Sequence, residues 1–397
     1  MDKPVIEGGK PIREKFLPYG TQWLDNEEIN EVIDSLKSDW ITTGPKMRSF
    51  EEKFKKYKGS KYAIAVNSGT AALHICTSCI DIKPGDEVIT TPYTFVASAN
   101  CIIYRGGTPI FADIKKDTYN IDPVKIREKI TSKTKAIIPV HFAGQPCDMD
   151  EITEIAEQNG LYIIEDAAHA VAAEYKNKKI GTISDLTTFS FHPVKNITTA
   201  EGGMVTTDND EFNEKLLMFR THGISKDAIK RFGKSGGFYY DMQYLGFRYN
   251  LSELHSALGI HQLNKLESFQ KRRREIVKIY NRELNDIDEI IIPYVKNNIK
   301  HSWHLYVIQL ELEALRVSRD HIFKALRGEN IGVNVHYIPV HYHSYYMNKF
   351  GLSKGILPNV EWLFPRVLTI PLFPRMSDED VYDVINALEK VITYYRK

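Results

Sequence analysis

One lysine of this sequence stands where its side chain can serve as a nucleophile. Lys195 follows an apolar run that ends at Phe191, and a Glu-Gly-Gly turn at 201–203 comes after it. Pro193 interrupts regular strand pairing, so the lysine is expected on a loop directly after a strand. Most lysines are only solvated charges, but one fixed between an apolar strand and a tight turn is a candidate for Schiff-base formation, because desolvation lowers the pKa of an amine. Ser190, just before the loop, is placed to reach a phosphate group.

A carboxylate follows another apolar run, in the segment IIEDAAHA at 163–170. In open α/β sheets, ligands bind at the carboxyl ends of the strands, where Asp166 would lie. This carboxylate could keep the nitrogen of a pyridine ring protonated, and such a ring then accepts electrons. The small residues after Asp166 leave room for a flat ring, with His169 over its face. An ordinary helix-capping aspartate with a partly buried histidine explains the same motif equally well.

A third segment, VNSGTAALH at 66–74, has the features of a phosphate site. Gly69 permits a tight turn after the strand, and a helix is expected to start at Thr70 or Ala71. The free N–H groups and the positive dipole end of a helix start attract anions, and the hydroxyls of Ser68 and Thr70 add donors. Alone this pattern is weak, since most strand–glycine–helix turns bind nothing.

The elements that must position these side chains form an α/β pattern between about residues 60 and 207. Continuous apolar runs separated by helical stretches predict a buried, mostly parallel sheet flanked by helices. The predicted strands are 62–66, 87–91, 108–112, 136–142, 161–166, 187–191 and 203–207. The predicted helices between them are 70–80, 97–104, 122–130 and 148–159. Asp122 is expected to cap its helix, with Pro123 in the first turn.

The remaining sequence predicts a second domain. A Gly- and Tyr-rich stretch at 234–250 is typical of an ordered loop, and helices resume over 251–284. Strands and helices then mix, which predicts an α+β arrangement. These elements are strands at 304–310 and 332–338 and helices at 319–327 and 378–394. We therefore expect a large domain over residues 1–260 and a smaller α+β domain over 261–397, since 397 residues are too many for one core.

Composition and charge disfavour several classes of function. The formal net charge of +1 gives no basic field for nucleic acid. Basic runs at 53–58 and 271–274 fall in amphipathic helix patterns, which predicts solvated helix faces. The start of the chain lacks the apolar stretch of a signal peptide. The sequence contains no run of about 18 uncharged apolar residues, so we expect no membrane helix. We expect a cytoplasmic protein without nucleic-acid or membrane partners.

The four cysteines do not predict a metal site. Cys76 and Cys79 form a CxxC motif, but it falls in the middle of a predicted helix. A metal site would need a second pair, and a redox motif would stand at a helix start. Both thiols lie on one apolar helix face, so we expect them to be buried and structural.

The three chemistry-bearing segments, in this order and at these separations, resemble the DegT/StrS group of sugar-nucleotide aminotransferases. This group belongs to fold type I of the pyridoxal-phosphate enzymes. The resemblance extends over nearly the whole chain, and its further segments are DWITTGPKMRSFEEKF (39–54), ITTPYTFVASAN (89–100), DIKKDTYNID (113–122), KTKAIIPVHFAGQPCDMDEI (133–152), RYNLSELHSALGIHQL (248–263), HSWHLYVI (301–308), VHYIPVH (335–341) and IPLFPRMSD (370–378). It implies a large pyridoxal-phosphate-binding domain and a smaller C-terminal domain.

The resemblance also implies roles for the side chains around the cofactor ring. Lys195 would hold pyridoxal 5′-phosphate as a Schiff base and later move protons. Asp166 would pair with the pyridine nitrogen. His169 and Phe95 would cover the two faces of the ring.

Further residues are implied to bind the phosphate and the substrate. The phosphate residues would be Thr70, Ala71 and Ser190. Asn250 would reach the phosphate of a neighbouring subunit, so the active site would require a homodimer. His336 and His341 fall where relatives line the sugar pocket, although packing or surface roles explain these two histidines about as well.

The implied reaction is a ping-pong transfer of an amino group from L-glutamate to a nucleotide-linked keto sugar. Related sugar dehydratases carry a histidine at the position of Lys195, so the lysine favours amino transfer. WITTGPK, HPVKNITTAEGG and IPLFP are most similar to enzymes acting at C4 of UDP-4-keto sugars, namely a UDP-4-keto-6-deoxy-N-acetylhexosamine or a UDP-4-keto-pentose. A C3-keto-sugar nucleotide is the alternative substrate.

The sequence disfavours two other classes of function, a regulatory or binding protein and a Rossmann dehydrogenase. A non-catalytic regulatory or binding role is conceivable for this group, but a binding protein would not require Lys195, Asp166 and His169 together. A Rossmann dehydrogenase is disfavoured because no GxGxxG follows a first strand.

Overall fold

In the computed structural model, which describes residues 2–225 and 240–397, a mostly parallel sheet forms the centre of the large domain. The strands are β1 (Tyr62–Val66), β2 (Glu87–Thr90), β3 (Thr108–Phe111), β4 (Thr134–Ile138), β5 (Tyr162–Asp166), β6 (Glu174–Tyr175), β7 (Lys178–Lys179), β8 (Leu186–Ser190), β9 (Gly203–Thr207), β10 (Ile290–Ile291), β11 (Ile299–Lys300), β12 (Tyr306–Leu310) and β13 (Val367–Ile370). The central sheet has the order β1-β9-β8-β5-β4-β2-β3. Each strand predicted between residues 60 and 207 is present, although β4 ends before Pro139. The predicted sheet is confirmed.

Strand directions bring the three chemistry-bearing segments to one edge of this sheet. Strand β9 pairs antiparallel with both β1 and β8, so β1 and β8 run in the same direction. Strand β5 is parallel to β8, and Asp166 pairs in register with Thr188. The carboxyl ends of β1, β5 and β8, at Val66, Asp166 and Ser190, therefore lie at a common edge.

Helices cover both faces of the sheet. They are α1 (Asn26–Lys37), α2 (Pro45–Lys58), α3 (Gly69–Cys79), α4 (Ala97–Tyr104), α5 (Pro123–Arg127), α6 (Met149–Asn159), α7 (Asp210–Arg220), α8 (Glu253–Leu284), α9 (Arg319–Gly328), α10 (Ser344–Phe350), α11 (Pro358–Leu363) and α12 (Asp378–Tyr395). Asp122 caps α5 by accepting from the N–H of Val124 at 3.0 Å, and Pro123 is the first helical residue, as predicted. Helix α5 is shorter than the predicted 122–130.

The C-terminal part forms the expected smaller α+β domain. Strands β10, β12 and β13 make an antiparallel sheet in that order. Helices α9 and α12 and the end of α8 share one apolar core with this sheet, with Leu326, Leu388 and Tyr280 fully buried. Leu17, near the start of the chain, belongs to the same core.

The domain division after residue 260 stays a prediction, and it falls inside helix α8. Ile260 and Phe269 of this helix pack in the core of the large domain. Ile276 and Leu284 pack in the core of the smaller one. We propose that α8 serves both domains and that the change of core occurs between Phe269 and Ile276.

Two of the remaining predicted segments are the strand at 332–338 and the ordered loop at 234–250. The predicted strand at 332–338 is wrong, because the segment is irregular apart from a single β-bridge between Asn334 and Thr369. The side-chain oxygen of Asn334 accepts from the N–H of Val335 at 2.8 Å, which takes that donor from any strand pairing. The start of the predicted ordered loop at 234–250 lies outside the described residues.

Most side chains of the two basic runs are exposed or half-buried, as the prediction of solvated helix faces requires, but each run also places one basic side chain in the interior. Lys58 is buried, and its amine donates to the carbonyls of Val171 at 2.6 Å and Ile180 at 2.7 Å. The same amine lies 4.2 Å from the centroid of the Phe189 ring. Arg273 is also buried and, among residues 2–225 and 240–397, donates to carbonyl oxygens alone. Carbonyl oxygens offset the desolvation of both cations without forming ion pairs.

The thiols of the CxxC motif agree with a further expectation. Cys76 and Cys79 are free and buried, as predicted, and burial raises the pKa of Cys79 to about 12. Over residues 2–225 and 240–397, no helix has the length and apolar character needed to cross a membrane.

Candidate active site

A cavity of about 300 Å³ opens at the sheet edge where β1, β5 and β8 end. Most of the site residues expected from the sequence line it. These are Thr70, Phe95, Asp166, His169, Ser190, Lys195 and His336. The sheet topology therefore brings together side chains that are up to 266 positions apart in the sequence, from Thr70 to His336.

Lys195 lies on the turn after β8, where its backbone N–H donates to the carbonyl of His192 at 2.9 Å. Its amine has no hydrogen-bond partner within residues 2–225 and 240–397 and lines the cavity. Burial lowers the pKa of Lys195 to about 8, and the negative charge of Asp166 opposes part of this shift. An amine with this pKa is partly neutral near pH 7 and can attack a carbonyl carbon.

Asp166 ends strand β5 and is buried at the cavity wall. Its Oδ2 accepts from the hydroxyl of Ser98 at 2.7 Å, and its Oδ1 accepts from the N–H of Ala168 at 3.1 Å. Hydrogen bonds of this kind stabilise the ionised carboxylate and fix its plane. A fixed carboxylate at this edge can hold a proton on the nitrogen of a bound pyridine ring.

His169 is a neutral side chain with both ring nitrogens in use. Burial, together with the charges of Lys195 and His336, holds the pKa of His169 well below its usual value. Its Nδ1 accepts from the N–H of Ala143 at 3.2 Å, so Nε2 carries the proton and donates to the hydroxyl of Tyr337 at 3.0 Å. The ring can therefore cover a bound aromatic group without adding charge.

The start of helix α3 forms a cradle that fits a phosphate group. Ser68 caps the helix by accepting from the N–H of Ala71 at 3.0 Å. In the described part of the chain, the N–H groups of Gly69 and Thr70 have no acceptor. A Cβ at Gly69 would lie 2.8 Å from Cβ of Ser190, so only glycine leaves this space open. Free donors at a helix start beside a serine hydroxyl are the elements of an anion site.

The remaining predicted residues occupy different places. Phe95 is 59% exposed at the mouth of the cavity, and His336 lies in its wall with Nδ1 2.9 Å from the hydroxyl of Thr369. Ala71 is buried behind Thr70, and its N–H is already taken by Ser68. A role for Ala71 in binding the phosphate stays a prediction.

Asn250 and His341 do not line the cavity. Asn250 forms a β-bridge with Val66, and within the described residues its side-chain oxygen is buried without a hydrogen-bond partner. His341 is fully buried with Nε2 3.2 Å from a carboxylate oxygen of Glu361. The structure therefore does not bring His341 to the cavity.

Sequence reasoning missed Ser98, Tyr337 and His304, which also line the cavity. Ser98 follows strand β2 on helix α4, at the edge where ligands bind, and this position was a usable signal. Tyr337 adjoins a predicted residue, but nothing in its spacing relates it to His169. The His304 ring lies against that of His169 at a centroid distance of 4.4 Å, a contact that only the fold reveals.

Together with the fold, the Lys195 amine, the Asp166 carboxylate and the anion cradle define a pyridoxal-phosphate-dependent transferase. The residues present fit that cofactor, because a nucleophilic amine, a ring-nitrogen partner and a phosphate cradle surround one cavity. The chain belongs to the DegT/DnrJ/EryC1/StrS aminotransferase family, whose model matches residues 22–389.

Relatives in this family cover the chain almost completely. SpsC, a spore coat polysaccharide biosynthesis protein of Bacillus subtilis, is 47% identical over 96% of this chain and 98% of its own length. The PLP form of the putative sugar aminotransferase Spr1654 from Streptococcus pneumoniae has a TM-score of 0.88 at 32% identity, covering 96% of this chain and 99% of that one. PseC of Helicobacter pylori, an aminotransferase involved in the biosynthesis of pseudoaminic acid, has a TM-score of 0.88 at 31% identity, covering 96% and 100%.

These comparisons confirm the family, the fold and the enzyme class expected from the sequence. The chain is a sugar aminotransferase of the DegT family, and its cofactor is pyridoxal 5′-phosphate. The Spr1654 protein has been solved in both PLP and PMP forms, the two forms between which an aminotransferase cycles.

Proposed function

We propose that the enzyme moves an amino group from L-glutamate to C4 of a UDP-4-keto sugar, either a UDP-4-keto-6-deoxy-N-acetylhexosamine or a UDP-4-keto-pentose. The observation that carries amino transfer is the Lys195 amine, unpaired among the described residues, with a pKa of about 8 at the cavity wall. A binding protein gains nothing from a buried lysine without an ion-pair partner, because its desolvation costs free energy. This disfavours the non-catalytic alternative.

The side chains divide the work of the reaction. Bound pyridoxal phosphate supplies an electron sink for the carbanion formed at the amino acid. Lys195 would remove the proton from the donor's Cα as a base and deliver it to the C4′ carbon of the cofactor as an acid. Asp166 would keep a positive charge on the ring nitrogen, because its carboxylate accepts a hydrogen bond from the protonated N–H. The neutral His169 covers the ring and excludes water on that face.

The outer cavity wall supports a sugar as the amino acceptor. Tyr19, His304 and His336 line it with uncharged hydrogen-bonding groups. Burial lowers the pKa of His336 to about 3, so this ring is neutral over the working pH range. Neutral donors and acceptors suit the hydroxyls of a sugar better than a second anion.

The C4 position rests on the resemblance of WITTGPK, HPVKNITTAEGG and IPLFP to C4 transaminases. Two relatives support a sugar product, since their names connect SpsC with spore coat polysaccharide and PseC with pseudoaminic acid. Turnover of purified C4-keto and C3-keto nucleotide sugars, each with L-glutamate, tests the assignment. Faster turnover of the C3-keto substrates would replace our proposal with the C3 alternative.

We also propose that the enzyme is a homodimer whose subunits share their active sites through Asn250. Helix α1 supports this, because its apolar face is exposed and its polar face is buried. Ile33 and Leu36 are 42% and 60% exposed, whereas Glu28 and Ser35 are fully buried. Burial of such a stripe against a second copy removes apolar surface from water.

Sedimentation tests the assembly. Leu36→Glu is expected to shift the enzyme towards monomers, whereas Asn30→Glu, on an exposed polar position of the same helix, is expected to leave it dimeric. A wild-type protein that sediments as a monomer with full activity would contradict the shared site.

The four free cysteines support a reducing compartment, and we propose the cytoplasm as the place of action.

A further inference from the structure

His169 is held at both ring nitrogens by groups from two other parts of the fold. The N–H of Ala143 binds Nδ1, and the hydroxyl of Tyr337 accepts from Nε2. Ala143 has a left-handed backbone with φ of 56°, and a Cβ at the following Gly144 would lie 2.8 Å from the carbonyl oxygen of His169. The 143–144 turn can therefore approach His169 closely only with glycine at its second position.

Tyr337 is fixed independently of His169. The hydroxyl of Tyr93 donates to the carbonyl of His336, which anchors the backbone just before Tyr337. The Tyr337 ring lies 6.2 Å from Phe95 and 6.4 Å from Phe142, measured between centroids. Its plane is tilted by 23° from that of His169. The tyrosine thus forms a rigid part of the cavity wall rather than a side chain that follows His169.

We propose that Tyr337 is the positioning residue for His169, fixing the ring plane that the cofactor meets. The N–H of Ala143 can only donate, so it fixes the tautomer; the hydroxyl of Tyr337 then accepts from Nε2–H and holds the plane of the ring. Removal of the acceptor leaves a buried N–H unpaired, which is costly. The imidazole is then no longer held in this plane, and its contact with the cofactor changes.

The side chains that contact His169 are neutral, as His169 is. The centroid of the His304 ring lies 4.4 Å from that of His169, and burial holds the pKa of His304 well below its usual value as well. Burial also raises the pKa of Tyr337, so the phenol stays protonated. His169, His304 and Tyr337 are therefore all neutral, and hydrogen bonds rather than charges fix the orientation of their rings.

The inference rests on the proposed place of His169 beside the cofactor, but its first test is independent of activity. Long-range ¹H–¹⁵N spectra of the full chain with ¹⁵N-labelled histidine distinguish the two neutral tautomers, and His169→Gln assigns the signal. We expect the Nε2–H tautomer in both proteins, with the Nε2 signal shifted in Tyr337→Phe because its hydrogen bond to the hydroxyl is lost. Tyr280→Phe is the matched control, because Tyr280 is buried in the smaller domain and donates to the carbonyl of Pro371 at 2.8 Å.

Kinetics then separate positioning from direct substrate binding. A positioning role predicts that Tyr337→Phe slows the glutamate and keto-sugar half-reactions alike, by about 5- to 10-fold in kcat, and changes the visible circular dichroism of the bound cofactor. An unchanged His169 signal in Tyr337→Phe would overturn the proposal. A loss confined to KM for the sugar would also overturn it, since Tyr337 would then act on the sugar directly. If the C4 assignment fails, the expected changes in the His169 signal and in the rates of the two half-reactions stay the same.

Discussion

The hydroxyl of Ser98 donates to Oδ2 of Asp166 at 2.7 Å, which links the carboxylate at the end of β5 to the helix that follows β2. The N–H of Ala168 holds the other carboxylate oxygen at 3.1 Å. Thr94 lies 2.8 Å from the Ser98 hydroxyl and completes a short chain of polar groups. The carboxylate is therefore oriented before any ligand arrives.

Ser98→Ala is expected to lower kcat about 10-fold, since a hydrogen bond to a charged group contributes roughly 1.5 kcal/mol. The KM for the amino donor should change little, because Ser98 acts through Asp166. Steady-state kinetics check this against Ser78→Ala, which removes an equally buried hydroxyl that donates to His74 at 2.8 Å. Equal kcat values for the two variants would show that the Ser98 contact does not orient the carboxylate.

The rate of cofactor attachment should report the lowered pKa of Lys195. An amine attacks only when neutral, so the rate is expected to rise with pH and to level off above about pH 8. At pH 7 the neutral fraction is roughly 300 times that of a lysine with an ordinary pKa. Stopped-flow absorbance after addition of pyridoxal phosphate measures the rate. A rate that keeps rising towards pH 10 would mean that burial does not lower the pKa of this amine.

Gly69→Ala is expected to weaken cofactor binding by at least about 10-fold, because the new methyl group fills the phosphate cradle and displaces Ser190. The new Cβ would lie 2.8 Å from Cβ of Ser190. Equilibrium dialysis against pyridoxal phosphate measures the dissociation constant. The matched control is Gly328→Ala in the smaller domain, where the new Cβ meets only the side chains of Val5 and Ile6 at 3.3 Å. Unchanged affinity in Gly69→Ala would place the phosphate elsewhere.

Arg273→Met should destabilise the protein by about 3 kcal/mol, because three buried carbonyls lose their donor. Nη1 of Arg273 donates to the carbonyls of Trp303 at 3.0 Å, His304 at 3.3 Å and Leu372 at 2.8 Å. Urea unfolding measures the change. Lys271→Met, on an exposed position of the same helix, is expected to stay within about 0.5 kcal/mol of the wild type. Equal midpoints for the two variants would show that the carbonyls find other donors.

The central sheet and most of the site could be predicted because their signals are local. A parallel strand is a continuous apolar run, and the residue after it lies at the ligand edge, so Asp166, Ser190 and Lys195 followed from sequence position. Tyr337 could not be related to His169, because their contact depends on how the smaller domain packs on the larger one. The burial of Lys58 and Arg273 escaped prediction because the carbonyls that accept from them come from distant segments.

The absorbance spectrum of the purified protein with pyridoxal phosphate tests the central claim that Lys195 holds the cofactor and transfers the amino group. The wild type is expected to show a visible Schiff-base band that L-glutamate removes and a UDP-4-keto sugar restores. Lys195→Ala should show no such band and no turnover. A band of equal strength in Lys195→Ala, or a wild-type band that glutamate leaves unchanged, would contradict the account.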